Sequence, residues 1–327
     1  MFAVLLAACA NTHPTLHGLM LVKNPPSEVG LVHINVSIGL TKVFGPAHTQ
    51  LFGEGDLVTV ANGQLYFLGD STRGAVLVAI NVTTGEQICS APVDVAEISY
   101  VGMGQSLDHD ASTGSLILSG ISTNKSAGTH TVYRAPDVGC GPMKLVGHFS
   151  DASYLPMLHA SAFDAKGQRL FVTLGVSEDA SAIGVVDLKA GTMTVVAEGS
   201  TPDLHDSLLC MHWDPTTSRL LGVVGVGANL QLHSLDPSGK GTWEAAKNLS
   251  NVPPKWDTIG GNGGIASAFS ADMRSMYVMM GASDPQGDAK FDLAVVDVDK
   301  AAITAHPHFS YEGGIAGCLD CLMGIAL

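Results

Sequence analysis

The sequence is poor in charged residues, in aromatic residues and above all in positive charge. Of its 327 residues 14% are charged and 6% are aromatic, and 16 Lys and Arg stand against 30 Asp and Glu, a net charge of −14. Nucleic-acid backbones and anionic membrane surfaces are bound by clustered basic side chains, and the sequence has no such cluster. No apolar run reaches the roughly 18 residues that a transmembrane helix needs. We therefore expect no nucleic-acid partner and no membrane span.

Motifs of nucleotide binding and of serine nucleophiles are also missing from the sequence. There is no P-loop, and the glycine-rich segment 222–227 lies in a pair of predicted strands with no helix after it, unlike a dinucleotide-binding fingerprint. No Gly-x-Ser-x-Gly elbow of a serine hydrolase occurs. We therefore expect no nucleotide cofactor.

Cysteine is scarce and forms no pattern that requires a bond or a metal. The lone CxxC at Cys318 and Cys321 has no second pair, which a zinc site would need. Six cysteines permit disulfides, but their spacing does not demand them. We therefore expect buried free thiols. The six are Cys9, Cys89, Cys140, Cys210, Cys318 and Cys321.

Glycine and apolar side chains, by contrast, are abundant. The chain has 38 Gly and is 46% hydrophobic, with no Gly-X-Y period. Frequent glycine in an apolar, Val- and Thr-rich chain indicates many tight turns between short strands. The apolar segments run continuously instead of alternating with polar residues, which is typical of sheets with both faces buried.

A unit of about 50 residues recurs along the chain, and each copy contains short apolar strands separated by turns. The clearest copy has strands at 160–164, 169–175, 182–188 and 192–197. The residue after the first strand marks the period, because positions 61, 110, 164, 214 and 270 are separated by 49, 54, 50 and 56 residues. A period near 50 with four strands is typical of a propeller blade. The repeat predicts one all-β domain over residues 1–327, a six-bladed β-propeller with four antiparallel strands per blade, with seven blades as the alternative.

Two segments compete for the innermost strand of the first blade. One is 2–9, within an apolar stretch at residues 1–10 that is either the first strand or the remnant of a signal peptide. The other is 313–327, which would return to the first blade and remove open sheet edges. Both alternatives stay open at this point.

The segment that leads into each innermost strand carries a polar residue beside small ones, and these segments meet at one mouth of the central channel. Either they form a site or they line a water-filled channel. As a site, carboxylate and amide oxygens would bind Ca²⁺, two His would act as general acid and base, and further polar groups would bind substrate. The predicted calcium ligands are Glu54, Asn262 and Glu312. The predicted catalytic residues are His159 and His205. The predicted substrate-binding residues are Gln105, Asp206 and Tyr154.

Two sequence segments of the repeat, Leu77–Gly85 and Ile183–Gly191, resemble those of the six-bladed propeller superfamily that includes gluconolactonase/regucalcin and paraoxonase-type hydrolases. The resemblance covers nearly the whole chain and is architectural. It implies a metal-assisted hydrolase of a small lactone or ester, whose metal is held by Glu and Asn or Asp from separate blades. Two alternatives are a metal-independent lyase or cyclising enzyme that uses the His pair, and a non-catalytic propeller that binds a protein or glycan through Tyr154 and Trp256.

Four Asn-X-Ser/Thr sequons begin at Asn35, Asn81, Asn124 and Asn248, and they favour a secretory route. We expect a secreted protein or one of the secretory lumen, with the cytoplasm as the alternative. We further expect a monomer that acts on a small-molecule substrate.

Overall fold

A computed structural model describes most of the chain and arranges it in six sheets. The described residues are 15–23, 28–38, 40–49, 58–71, 74–94, 97–98, 105–122, 129–135, 139–151, 153–177, 180–199, 208–226, 229–238, 244–254, 256, 258–259, 267–282, 290–307, 310–312 and 322–326. They include no helix with the length and hydrophobicity to span a membrane.

The strands follow one another blade by blade. Blade 1 begins with β1 (Thr15–Lys23), β2 (Glu28–Asn35) and β3 (Leu40–Thr49). Blade 2 contains β4 (Val58–Ala61), β5 (Gln64–Ser71), β6 (Gly74–Asn81) and β7 (Gln87–Pro92). Blade 3 contains β8 (Gln105–Asp110), β9 (Ser115–Ile121), β10 (Thr129–Ala135) and β11 (Lys144–Ser150). Blade 4 contains β12 (Leu155–Asp164), β13 (Arg169–Ser177), β14 (Ala180–Asp187) and β15 (Thr192–Gly199).

The remaining strands complete the molecule. Blade 5 contains β16 (Leu208–Asp214), β17 (Arg219–Val226), β18 (Asn229–Leu235) and β19 (Glu244–Asn248). Blade 6 contains β20 (Thr258–Ile259), β21 (Ser267–Phe269), β22 (Ser275–Ala282), β23 (Lys290–Asp297) and β24 (Ala302–Ala305). The last two strands, β25 (Ser310–Glu312) and β26 (Leu322–Ala326), return to blade 1.

Blades 2 to 5 are antiparallel sheets whose first strand lies innermost. The innermost strands of successive blades contact one another, from β4 to β8, β12 and β16, and again from β21 through β26 to β4. A hydrogen bond between His212 and Ser267 joins β16 to β21, so the ring closes. The structure therefore confirms the prediction of an all-β propeller with six blades, mostly of four antiparallel strands.

Blade 1 takes its innermost strand from the C-terminal part of the chain. Strand β26 pairs antiparallel with β1, from His17 opposite Ala326 to Met20 opposite Leu322. The second of the two predicted closures is therefore the correct one, and residues 1–14 lie outside the described residues. Strand β1 pairs on one side with β2 and on the other with β26. Because β26 follows blade 6 in the chain, this pairing connects the last blade to the first.

The space between neighbouring blades is filled by apolar side chains from both sheets. One cluster joins blades 3 and 4 and includes Ile117, Val132, Leu170 and Val172, all fully buried. Similar clusters occupy the other junctions for which the side chains are described. Strands with both faces buried need apolar residues at successive positions, which explains the continuous apolar runs of the sequence.

The residue that marks the sequence period ends the innermost strand and caps the turn after it. The Asp110 carboxylate accepts hydrogen bonds from Ser112 and Thr113, and the Asp214 carboxylate accepts equivalent bonds from Thr216 and Thr217. The hydrogen bonds around each of these buried carboxyls lower its pKa, although burial alone would raise it.

One expectation about cysteine is wrong. Cys89 and Cys140 form a disulfide between the outermost strand of blade 2 and the loop before β11 in blade 3. The two residues are 51 positions apart in sequence, and the packing of blade against blade brings them together. The other four cysteines have no described side chain.

Candidate functional site

The predicted channel-mouth residues are described only in part. Gln105 is the first residue of β8 and His159 lies within β12, so both belong to innermost strands. Their predicted roles stay predictions, as do those of four residues that lie outside the described residues. The four are Glu54, His205, Asp206 and Asn262.

Glu312 does not lie where the repeat predicted. It ends β25, a short strand that pairs parallel with β3, and its backbone is opposite Lys42. Because β3 is the outermost of the four regular strands of blade 1, the backbone of Glu312 lies on the outer edge of that blade and not at the start of its innermost strand. Glu312 therefore lacks the position that the repeat predicts for a calcium donor, and calcium binding by Glu54 and Asn262 stays a prediction.

Tyr154 precedes the innermost strand of blade 4 and is half-buried. Its hydroxyl donates a very short hydrogen bond to the carboxylate of Glu198, on β15, the outermost strand of the same blade. This bond is the main reason why the pKa of Tyr154 is raised to about 12. The hydroxyl of Tyr154 is therefore already bonded to the rim of its blade, and its role in substrate binding stays a prediction.

A polar contact crosses the junction of blades 3 and 4 between their innermost strands. Asp108 of β8 accepts hydrogen bonds from Ser106, at 3.3 Å, and from Ser161 of β12, at 3.4 Å. Ser106 is also 2.7 Å from Ser119 on β9. Asp108 keeps partial solvent exposure, whereas Ser106 and Ser119 are 7% and 0% exposed. We call these four residues the Asp108 cluster.

The directions of the hydrogen bonds in the Asp108 cluster follow from the number of protons. A serine hydroxyl has one proton to donate and can accept at its oxygen. Because Ser106 donates to Asp108, Ser119 must donate to Ser106. The chain of donors therefore runs from Ser119 through Ser106 to the carboxylate, which Ser161 approaches from the next blade.

Burial dominates the electrostatics of Asp108. It raises the pKa of the carboxyl from 3.8 to about 6, although the hydrogen bonds from Ser106 and Ser161 act in the opposite direction. The carboxyl is thus mostly ionised at neutral pH and can accept a proton near it. Since β8 is an innermost strand, we infer that the exposed part of Asp108 faces the central channel.

The corresponding positions of blades 5 and 6 form a second polar contact. His212 lies two residues before the turn residue Asp214, as Asp108 lies two before Asp110. Its Nε2 is 3.0 Å from the hydroxyl of Ser267 on β21, and its ring contacts Phe269. Burial lowers the pKa of His212 to about 4, so the ring is neutral at neutral pH and shares a hydrogen bond with Ser267 through Nε2.

Three further side chains, the predicted contact residue Trp256 and the histidines His109 and His306, have structural positions. Trp256 is 6% exposed and belongs to the apolar cluster between blades 5 and 6, so the prediction that it binds a partner is wrong. His109 adjoins Asp110, and burial lowers its pKa. His306 packs its ring edge-on against Trp256 at the protein surface. Within the part of the chain that the structure describes, no three His, Cys, Asp or Glu side chains are grouped closely enough to hold a metal ion.

Asp108 could have been recognised in the sequence by comparing the copies of the repeat. Two residues before the turn, blades 4 and 6 have Ala162 and Ala268, whereas blade 3 has Asp108 and blade 5 has His212. A charged residue at a position that other copies fill with alanine indicates a special environment. Ser161 could not have been paired with Asp108 without knowing how neighbouring blades are aligned.

Comparison with known proteins supports the fold. No family model and no curated protein matches the chain. A chain of the nidogen/laminin complex is similar with a TM-score of 0.59 at 11% identity, over 95% of this chain and 97% of that one. A candidate 6-phosphogluconolactonase from Bacteroides fragilis NCTC 9343 has a TM-score of 0.54 at 9% identity, over 97% and 98% of the two chains. A candidate TolB from Agrobacterium tumefaciens has a TM-score of 0.53 at 10% identity, over 88% and 87%. Identities this low show the fold alone.

Proposed function

We propose that this protein hydrolyses a small ester or lactone in its central channel, with Asp108 as the general base. The observation that carries the proposal is a hydrogen-bonded carboxyl on an innermost strand, in a residue that is only partly buried, with its pKa raised to about 6 by burial. A general base is most effective when its pKa lies near the working pH. A perturbed carboxyl in a concave part of a protein is a candidate for such a role.

The chemical step needs one water molecule and one substrate. The Asp108 carboxylate takes a proton from the water, and the water oxygen forms a bond to the carbonyl carbon of the substrate. The tetrahedral intermediate then breaks its bond to the alkoxide oxygen, which receives the proton from Asp108. The products are a carboxylic acid and an alcohol, which for a lactone are two groups of one molecule.

The serines of the Asp108 cluster act as positioning residues in this step. Ser106 and Ser161 hold the carboxylate from two different blades, so the orientation of the base depends on the alignment of those blades. Strands of a packed sheet hold side chains more rigidly than loops do. Gln105, three residues before Asp108, lies about 10 Å from it along the strand at the usual rise of about 3.3 Å per residue.

The residues predicted at the channel mouth complete the proposal. Substrate would pass His159, His205 and Asp206 on its way to Asp108. Calcium, if bound by Glu54 and Asn262, would polarise a carbonyl oxygen as a Lewis acid. The calcium prediction is tested separately by thermal melting, since a cation that binds the folded state raises the melting temperature and EDTA reverses the rise.

The test of Asp108 is its replacement by asparagine, which keeps the shape of the side chain and removes its basicity. The assay follows hydrolysis of a panel of aryl esters and γ- and δ-lactones. For D108N we expect a loss of 10²-fold or more in kcat/KM. For the wild-type protein we expect a limb of the pH profile with an apparent pKa of about 6, below which activity falls. The matched control is D299N, because Asp299 is 73% exposed at the surface.

Two results would contradict the proposal. If wild-type protein hydrolyses no member of the panel above the buffer rate, the protein is not such a hydrolase. If D108N keeps wild-type activity while folding normally, the reaction occurs elsewhere in the molecule. Loss of activity in D299N to the same extent would show that the assay reports folding and not the base.

A further inference from the structure

We propose that Asn35 and Asn248 carry N-linked glycans and that the chain folds in an oxidising secretory compartment. The proposal does not depend on the hydrolase activity. It rests on the exposure of two sequons and on the disulfide between two blades. A glycan is a bulky surface group on the amide of an Asn-X-Ser/Thr sequence, so the folded chain must leave that amide open to solvent.

The Asn35 sequon lies at the turn between β2 and β3. The side chain of Asn35 is exposed, and its Oδ1 accepts a hydrogen bond from the backbone N–H of Ser37 at 3.0 Å. A glycan is attached to the amide nitrogen, so this bond to the oxygen survives the modification. The middle residue, Val36, is buried, which anchors the sequon to the blade while the amide faces water.

The Asn248 sequon lies at the end of β19, the outermost strand of blade 5. The side chain of Asn248 is exposed, and its Oδ1 accepts a hydrogen bond from Gln231 at 2.9 Å. The next residue, Leu249, is 6% exposed and packs into the cluster between blades 5 and 6. This sequon therefore has the same arrangement as the first, with a buried middle residue and an open amide.

The Asn81 sequon differs in burial. Asn81 ends β6 at the repeat position that Asn35 has in blade 1, but it is half-buried, and its Oδ1 accepts two backbone N–H groups, of Thr83 and Thr84. Asp187 caps the equivalent turn of blade 4 with the same two bonds. The turn thus accounts for the capping oxygen, and less of Asn81 than of Asn35 is open to the solvent from which a glycan would be attached. Asn124 lies outside the described residues.

The disulfide supplies the second observation about the compartment. Cys89 and Cys140 are bonded across two blades, and disulfides persist in secreted proteins and in the lumen of the secretory pathway, whereas reduced thiols prevail in the cytosol. N-glycosylation takes place in that same lumen. Two unrelated chemistries, an open sequon and an oxidised cysteine pair, therefore require one and the same environment.

The modification is a group transfer with a defined donor. The glycan comes from a lipid diphosphate oligosaccharide, whose bond between the sugar C1 and the diphosphate oxygen breaks. A bond forms from C1 to Nδ2 of the asparagine, and the proton lost from Nδ2 leaves with the diphosphate. The carbonyl oxygen of the side chain is unchanged.

The experiment uses the full chain isolated from the organism that makes it. Peptide N-glycosidase in H₂¹⁸O converts each glycosylated Asn into ¹⁸O-labelled Asp, which is located by peptide mass spectrometry. We expect label at Asn35 and Asn248 and none at Asn81. Alkylation without reduction should leave Cys89 and Cys140 unmodified, and alkylation after reduction should modify both.

Variants made in a eukaryotic secretory host complete the test. N35D and S37A should each lose one glycan, S37T should keep it, and N81D should leave the glycan mass unchanged. N35D also keeps the turn, because aspartate caps the equivalent turn of blade 4. Absence of label at Asn35 and Asn248, label at Asn81, or free thiols at Cys89 and Cys140 in the native protein would each overturn the proposal.

Discussion

Gly85 makes a contact between blades that a single methyl group should disrupt. It ends the turn after β6 in blade 2 with φ +72, and it lies against Gly45 of β3 in blade 1. A Cβ on Gly85 would be 2.6 Å from the Gly45 Cα and 2.6 Å from the carbonyl oxygen of Phe44. Both atoms belong to backbone, so no side chain can rotate away, and G85A must separate the two blades or distort the turn.

The repeat supplies a matched control for this substitution at Gly191. The turn of blade 4 that Gly191 ends has φ +70 and the same backbone bond, since Gly191 donates to Asp187 as Gly85 donates to Asn81, each at 2.8 Å. Nothing lies within 4 Å of a Cβ built on Gly191. Alanine tolerates this conformation, because Ala301 has φ 49 after the equivalent turn of blade 6.

The expected magnitudes follow from two contributions to the free energy of unfolding. A left-handed conformation costs alanine about 1 kcal/mol, so both variants lose that much free energy of unfolding. Part of the loss is offset in both, because alanine lowers the conformational entropy of the unfolded chain. Overpacking adds about 1–3 kcal/mol for G85A alone. We therefore expect G85A to be less stable than G191A by about 2 kcal/mol, measured by urea unfolding followed by circular dichroism. Equal losses in the two variants would refute the contact between Gly45 and Gly85.

Three further predictions concern the disulfide, the turns and pH. Replacing Cys89 and Cys140 together by serine should cost about 4 kcal/mol in denaturant unfolding, from the entropy of closing a loop of 51 residues; reductant should abolish the difference from wild type. D110A should cost about 1–3 kcal/mol, since it removes the buried acceptor of hydrogen bonds from Ser112, Thr113 and Gln168, whereas D236A at the surface should cost less. Unfolding stability should fall as pH drops from 6.5 to 4, by up to about 3 kcal/mol for a fully buried histidine, because the unfolded chain binds protons that the buried rings cannot. Asp108, whose pKa is raised, opposes this loss over part of the range, but it is one group against three histidines, so a pH-independent stability would contradict the burial of these rings. The histidines whose pKa is lowered to about 4 are His17, His130 and His212.

The blade architecture could be predicted because it depends on features of short sequence segments. The turn residue Asp110 recurs as Asp164 and Asp214, and each caps its turn through its own carboxylate within a few residues. Such a cap depends only on residues that are neighbours in sequence. It therefore recurs at the same place in each copy of the repeat and can be recognised from the sequence. The continuous apolar strands follow from the burial of both sheet faces, which is also a local property of each strand.

The features that escaped prediction all depend on contacts between distant parts of the chain. Glu312 follows the sequence pattern of a segment that leads into an innermost strand, yet closure of the ring carries it along the outer edge of blade 1 first. Cys89 and Cys140 are adjacent only because blade 2 packs on blade 3. Trp256 looked like a loop aromatic, but the loop folds back onto the apolar junction of blades 5 and 6.

Comparing the blade junctions separates a structural polar contact from a functional one. Two residues before the turn, blade 4 places Ala162, which packs with Met211 of blade 5 in an apolar cluster. His212 in blade 5 is neutral and hydrogen-bonded to Ser267, so it costs little at neutral pH. Asp108 is different, because raising a carboxyl pKa from 3.8 to about 6 costs about 3 kcal/mol at neutral pH. An alanine would remove that cost at a position where blade 4 already has one, so we expect D108A to be more stable than the wild-type protein, and this gain is what the proposed role of Asp108 as a base predicts.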